Sequence, residues 1–104
     1  MFLPFLPERG KELMEITHNI VHQTFSFAAP NARKVQLLGD FTYWSKYPLN
    51  MEKSREGIWQ LTIDLEPGAH RYRFLVDGEW RDDPACTLRV PNPYGTHDAV
   101  RQVG

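Results

Sequence analysis

Two alternating stretches, joined by Pro67-Gly68 and stopped by Asp77-Gly78, constrain this chain more than any other feature. In the first, Trp59, Leu61, Ile63 and Leu65 alternate with Gln60, Thr62 and Asp64; in the second, His70, Tyr72, Phe74 and Val76 alternate with Arg71, Arg73 and Leu75. A period of two is the signature of a strand with one face buried, because successive side chains leave a pleated backbone on opposite sides. Asp-Gly is a strong signal for a two-residue hairpin turn, since both positions tolerate positive φ. The region therefore predicts adjacent antiparallel strands. Trp59 belongs to the core face, and Arg73 points away from it. Trp80 lies just past the second turn, on a short returning edge where full burial of an indole is hard to arrange.

The rest of the chain reads as more short strands. Val21, Phe25 and Phe27 are spaced by even numbers, with Thr24 and Ser26 between them, and Ala28-Ala29-Pro30-Asn31 ends that run. Val35 to Leu38 is a second, more apolar strand, closed by Gly39-Asp40. An aromatic loop follows, Phe41-Thr42-Tyr43-Trp44-Ser45 and then Tyr47, before a charged connection from Asn50 to Gly57. Asp82-Asp83-Pro84 interrupts, Thr87 to Val90 and Ala99 to Val103 close the pattern, and Pro91-Asn92-Pro93-Tyr94-Gly95 forms a rigid loop between them. Six or seven short strands with close turn signals predict an all-β, immunoglobulin-like antiparallel β-sandwich. The antibody Cys-Trp-Cys pattern is missing. Length allows one such domain, over residues 21–104. Residues 1–20 form an N-terminal arm, in which Leu13, Ile16 and Ile20 have helix-like spacing weakened by Gly10.

Charge and chemistry narrow the function. A formal net charge of -1 supplies no basic field for nucleic acid or an anionic membrane, so neutral partners fit best. Cys86 is the single cysteine and reads as a small half-buried hydrophobe. Met1 to Pro7 lacks a cationic lead and a small-residue cleavage pattern, so a cytoplasmic setting is the expectation. Asp82 and Asp83 are neighbours whose side chains diverge on an extended chain; they read as turn and solubility residues, not as a catalytic pair across a cleft. His18 and His22 stand four apart without a third ligand. No phosphate-binding glycine loop or nucleophile elbow is present. The reading is of a protein without catalytic residues, metal or cofactor.

Aromatics make up 12% of the chain, generous for one so small, and the excess goes either into the core or onto a binding face. Sugars present flat apolar faces ringed by hydroxyls, and a site for them calls for flat aromatics flanked by polar groups. Trp44 and Trp80 supply the flat surfaces, and Arg73 a fork of donors. Each also has a structural role open to it: Trp80 capping the sandwich, Trp44 tucked under its loop, Arg73 paired with Glu79 or Asp77. Their conjunction in loops and on a non-core face favours binding.

The residues that carry this pattern resemble carbohydrate-binding module family 48. The resemblance runs from about residue 22 to 103 through Ala29-Pro30-Asn31-Ala32, Val35-Gln36-Leu37-Leu38-Gly39-Asp40-Phe41, Pro67-Gly68, Tyr72-Arg73-Phe74, Val76-Asp77-Gly78 and Asp83-Pro84. That family includes the glycogen-binding domain of the AMP-activated protein kinase beta subunit and the N-terminal domains of glycogen branching and debranching enzymes. The resemblance implies an early-set immunoglobulin-like sandwich that binds an α-1,4-linked glucan such as glycogen, starch or a maltooligosaccharide, and targets an associated or fused enzyme to it. The alternative is a packing domain of the same fold that has lost sugar binding. By resemblance the sugar-binding positions fall on Trp44, Trp80, Arg73, Tyr94 and Asp98. Three positions depart from the family pattern: Thr42, where asparagine is usual, and Asp98 and Ala99, where an Asn-Ser pair is usual. Aspartate accepts hydrogen bonds but cannot donate them.

Overall fold

The computed structural model describes residues 20–104, and the N-terminal arm predicted for residues 1–20 lies outside them except for Ile20. The elements in order are β1 (Val21–Ala28), β2 (Val35–Gly39), two single 3-10 turns (Asp40–Thr42 and Trp44–Lys46), β3 (Leu49–Asn50), β4 (Glu52–Lys53), β5 (Ile58–Leu65), β6 (Gly68–Val76), β7 (Glu79–Arg81), β8 (Arg89–Pro91) and β9 (His97–Val103). They form two antiparallel sheets, ordered β1-β5-β4 and β3-β2-β6-β9-β8, with β7 added to β6. This is the predicted all-β sandwich.

The alternation sets which face of each strand is buried. Phe25, Trp59 and Leu65 of one sheet meet Val35, Leu37, Tyr72, Phe74, Val76, Ala99 and Val103 of the other, and all are buried. Rings lock the layers together: Phe25 meets Tyr72 edge-on at 4.8 Å between centroids, and Phe27 meets Phe74 at 4.9 Å. Each fully buried ring of this kind stabilises the fold by roughly 1.5–3 kcal/mol. Arg101 of β9 also faces inward, its guanidinium 4.1 Å from the Phe25 centroid and donating to the Gln23 side chain and the Thr24 carbonyl.

The turn after β6 has the predicted geometry. Val76 pairs with Glu79 across a two-residue loop in which Asp77 and Gly78 have φ of 48° and 84°, the all-positive turn that matches strand twist. Asp77 sits at positive φ without being glycine, and its carboxylate compensates by accepting from the N–H groups of Arg33 and Lys34 at 2.9 and 2.8 Å.

Three details differ from the sequence reading. The charged connection 50–57 contains β3 and β4, which pair with β2 and β5 respectively, so the chain changes sheets at buried Met51. Two-residue strands leave too short a pattern to detect. The penultimate strand is Arg89–Pro91 instead of 87–90, because Cys86 and Leu88 are occupied in a turn beside β9. Asp83 is only 5% exposed, so it is no solubility residue. Its carboxylate accepts from the Tyr72 hydroxyl at 2.6 Å and the Ala85 N–H at 2.9 Å, while Asp82 points the other way to Arg73. Burial, and then the bond to Asp83, push the Tyr72 phenol far above its usual range, so it remains a donor.

Candidate functional site

β6 is paired on one side with β2 along its second half; on its other side it is paired first with β9 and then with β7. Arg73 sits at the join between β9 and β7, on the outward face set by the alternation. The pairing of Leu75 with Trp80 brings the indole to the same face, and the Arg73 guanidinium lies 5.6 Å from its ring centroid. Asp98 and Arg71 share that face too, since Tyr72 pairs with Ala99 and its neighbours point outward with theirs. The β8–β9 loop overhangs from one side, and the loop after β2 closes the other.

The result is one open groove of about 810 Å³ lined by Trp44, Ser45, Arg71, Arg73, Trp80, Asn92, Pro93, Tyr94, Thr96 and Asp98. All five residues named from the sequence are in it. Trp80 and Tyr94 are 42% and 88% exposed, so these rings spend apolar surface on solvent that the core does not claim. Arg73 and Asp98 are placed differently. Arg73 has 14% of its side chain exposed and bonds Asp82 through Nε at 3.1 Å and Nη2 at 3.0 Å, the partner being neither Glu79 nor Asp77. Asp98 is 5% exposed and accepts from the Asn92 amide at 2.9 Å.

Trp44 reaches the groove through a strained loop. Tyr43 and Trp44 have φ of 52° and 55°, a left-handed conformation that costs non-glycine residues on the order of 1–3 kcal/mol each. Thr42, 2% exposed, holds the loop. Its hydroxyl accepts from the Gly39 N–H at 3.0 Å and lies 2.9 and 2.8 Å from the carbonyl oxygens of Gly39 and Trp44, either of which can take its proton. The departure from the family asparagine therefore leaves the turn capped. Thr42→Val removes these bonds in a buried place, at a cost of about 1–3 kcal/mol. Thermal melting of the variant is expected to fall by several degrees, and a fluorescence titration of Trp44 with maltoheptaose to show weakened binding.

Asn92, Thr96 and Arg71 were missed in the sequence. Asn92 organises the overhanging loop, its Oδ1 accepting from the N–H groups of Tyr94 and Thr96 at 3.0 and 3.2 Å, an Asx turn for which Asn followed by Gly95 was the available signal. Arg71 had no signal beyond its alternation with Tyr72.

A β-sandwich whose outward sheet face carries an open, aromatic-lined groove has the form of a ligand-binding module. Residues 21–103 match the family described as the glycogen recognition site of AMP-activated protein kinase, and the chain belongs to that family. Similar proteins include 5'-AMP-activated protein kinase subunit beta-1 of Sus scrofa, 38% identical over 68% of this chain and 55% of its own length. Protein PTST homolog 2, chloroplastic, of Arabidopsis thaliana is 40% identical over 69% of this chain and 14% of its own. The 1,4-alpha-glucan branching enzyme GlgB of Lactobacillus acidophilus is 43% identical over 67% and 12%. The chain thus spans about half the length of the first of these relatives and a small part of the other two.

Proposed function

We propose that this chain binds α-1,4-linked glucan, as glycogen, starch or maltooligosaccharide, in the groove between Trp44, Trp80 and Tyr94, and performs no chemistry on it. One observation carries the reading: two tryptophans and a tyrosine from three separate segments line a single open groove beside a guanidinium. Flat rings cover the apolar faces of successive glucose units, and the polar floor meets their hydroxyls. The groove's charges also favour a neutral ligand, because Arg73 is matched by Asp82, and Asp98 lies 3.8 Å from Arg71. Openness suits an internal stretch of a polymer. It also keeps affinity low, with dissociation constants on the order of micromolar to millimolar, about -8 to -4 kcal/mol.

A weak site on a small module serves to place a catalytic protein, fused or associated, on the polymer; this targeting role is part of the proposal. Retarded migration in native gels cast with glycogen, together with a saturable tryptophan fluorescence change on adding maltoheptaose, is the expected result. Unretarded migration and a silent titration would instead mark a sandwich that has lost sugar binding.

A further inference from the structure

The polar lining of the groove is mostly occupied with itself. The Asn92 amide gives its protons to Asp98 and Thr96, at 2.9 and 2.8 Å, while its oxygen accepts from the Thr96 hydroxyl at 3.0 Å. The Thr96 hydroxyl also receives Arg73 Nη1 at 3.4 Å. Arg73 has its Nε and Nη2 on Asp82. The side chain of Asp98 is 7% exposed and holds Asn92 on one oxygen. A ligand entering the groove meets a network most of whose donors are already bonded, and breaking such bonds costs about what new ones return.

Arg71 is the exception. Its side chain is 47% exposed, and among the described residues its guanidinium makes one hydrogen bond, a long one from Nη1 to the Pro91 carbonyl at 3.5 Å. The Asp98 carboxylate stands 3.8 Å from the same nitrogen, beyond hydrogen-bond range but near enough to hold the head group over the groove. A guanidinium carries five N–H donors in a planar fork. Arg71 lines the groove, and most of that fork has no partner among the described residues.

We propose that Arg71 is the principal hydrogen-bond donor to the glucan, its fork meeting adjacent hydroxyl oxygens of one glucose ring, while Arg73 and Asp98 act as positioning residues. Arg73 holds its guanidinium against the Trp80 ring, and Asp98 steers Arg71 and anchors Asn92. The assignment rests on the glucan-binding reading and extends it to the residue that contacts the hydroxyls. It also explains how a site with aspartate at position 98, which cannot donate, obtains a donor.

Isothermal titration of the full chain with maltoheptaose tests this. Arg71→Ala should bind about tenfold or more weakly than the unaltered chain, as loss of a hydrogen bond from a charged group implies, with an unchanged melting temperature. Should Arg71→Ala melt early, Arg71→Gln, which retains much of the stem and a polar end, supplies the comparison and should be weakened as well. Binding by the folded variant at unaltered affinity overturns the role of Arg71 and leaves the glucan site intact. If the unaltered chain binds neither maltoheptaose nor glycogen, the functional reading itself falls, a result separable from the first.

Discussion

Trp80→Ala is expected to abolish retardation in glycogen gels and to weaken maltoheptaose binding by about 30-fold or more. A tryptophan at the centre of a binding surface commonly contributes about 2 kcal/mol or more, and each 1.4 kcal/mol is about tenfold. Trp80 has the position for it. Its ring is carried by the backbone pairing of β7 with β6 and lies beside the Arg73 guanidinium, with 42% of its surface still open. The same exposure means that little core packing is lost with the ring. Melting temperature should therefore stay within a few degrees while binding disappears. Retardation that matched the unaltered chain would remove Trp80 from the site.

Asp83→Ala should have the largest effect on stability. Alanine leaves the buried Tyr72 hydroxyl and the Ala85 N–H without their acceptor. A buried group left unsatisfied costs about 1–3 kcal/mol and the lost charged hydrogen bond about as much, so roughly 3 kcal/mol is expected. For a domain of this size that lowers the melting temperature by on the order of 15 °C. Binding at temperatures where the variant is folded should weaken less than with Trp80→Ala, since Asp83 does not line the groove. A double-mutant cycle with Tyr72→Phe gives the control: removing both partners should recover part of the loss, because the orphaned hydroxyl is then gone while the Ala85 N–H stays unpaired. Additive losses would mean that the pair is not coupled as the structure has it.

Asp82 and Asp83 also show where sequence reasoning reached its limit. That adjacent side chains on an extended chain diverge was legible, but the partners lie elsewhere in the chain. Asp82 meets Arg73 on the outer face and Asp83 meets Tyr72 in the core, and both partners are in β6, adjacent residues facing opposite ways. Trp59 was legible as core because four alternating apolar residues agreed on one face. Arg71 was not legible as a groove residue, because alternation says only that a side chain leaves the core face. Whether that side of the sheet carries a ligand or bulk water depends on which loops fold over it.

The stretch from Ile58 to Arg81 by itself determined the hairpin, the core face of its two long strands and the outward aim of Arg73, because pleat and turn chemistry are local. The succession of short strands and turn signals extended this to the sandwich, and the family resemblance to the residues expected in a sugar site. Tertiary structure alone decided which of those polar groups are free. Arg73 and Asp98 are bound to Asp82 and Asn92, and Arg71 is left open, because hydrogen-bond capacity is shared among groups that meet only when β6, β9 and their loops come together.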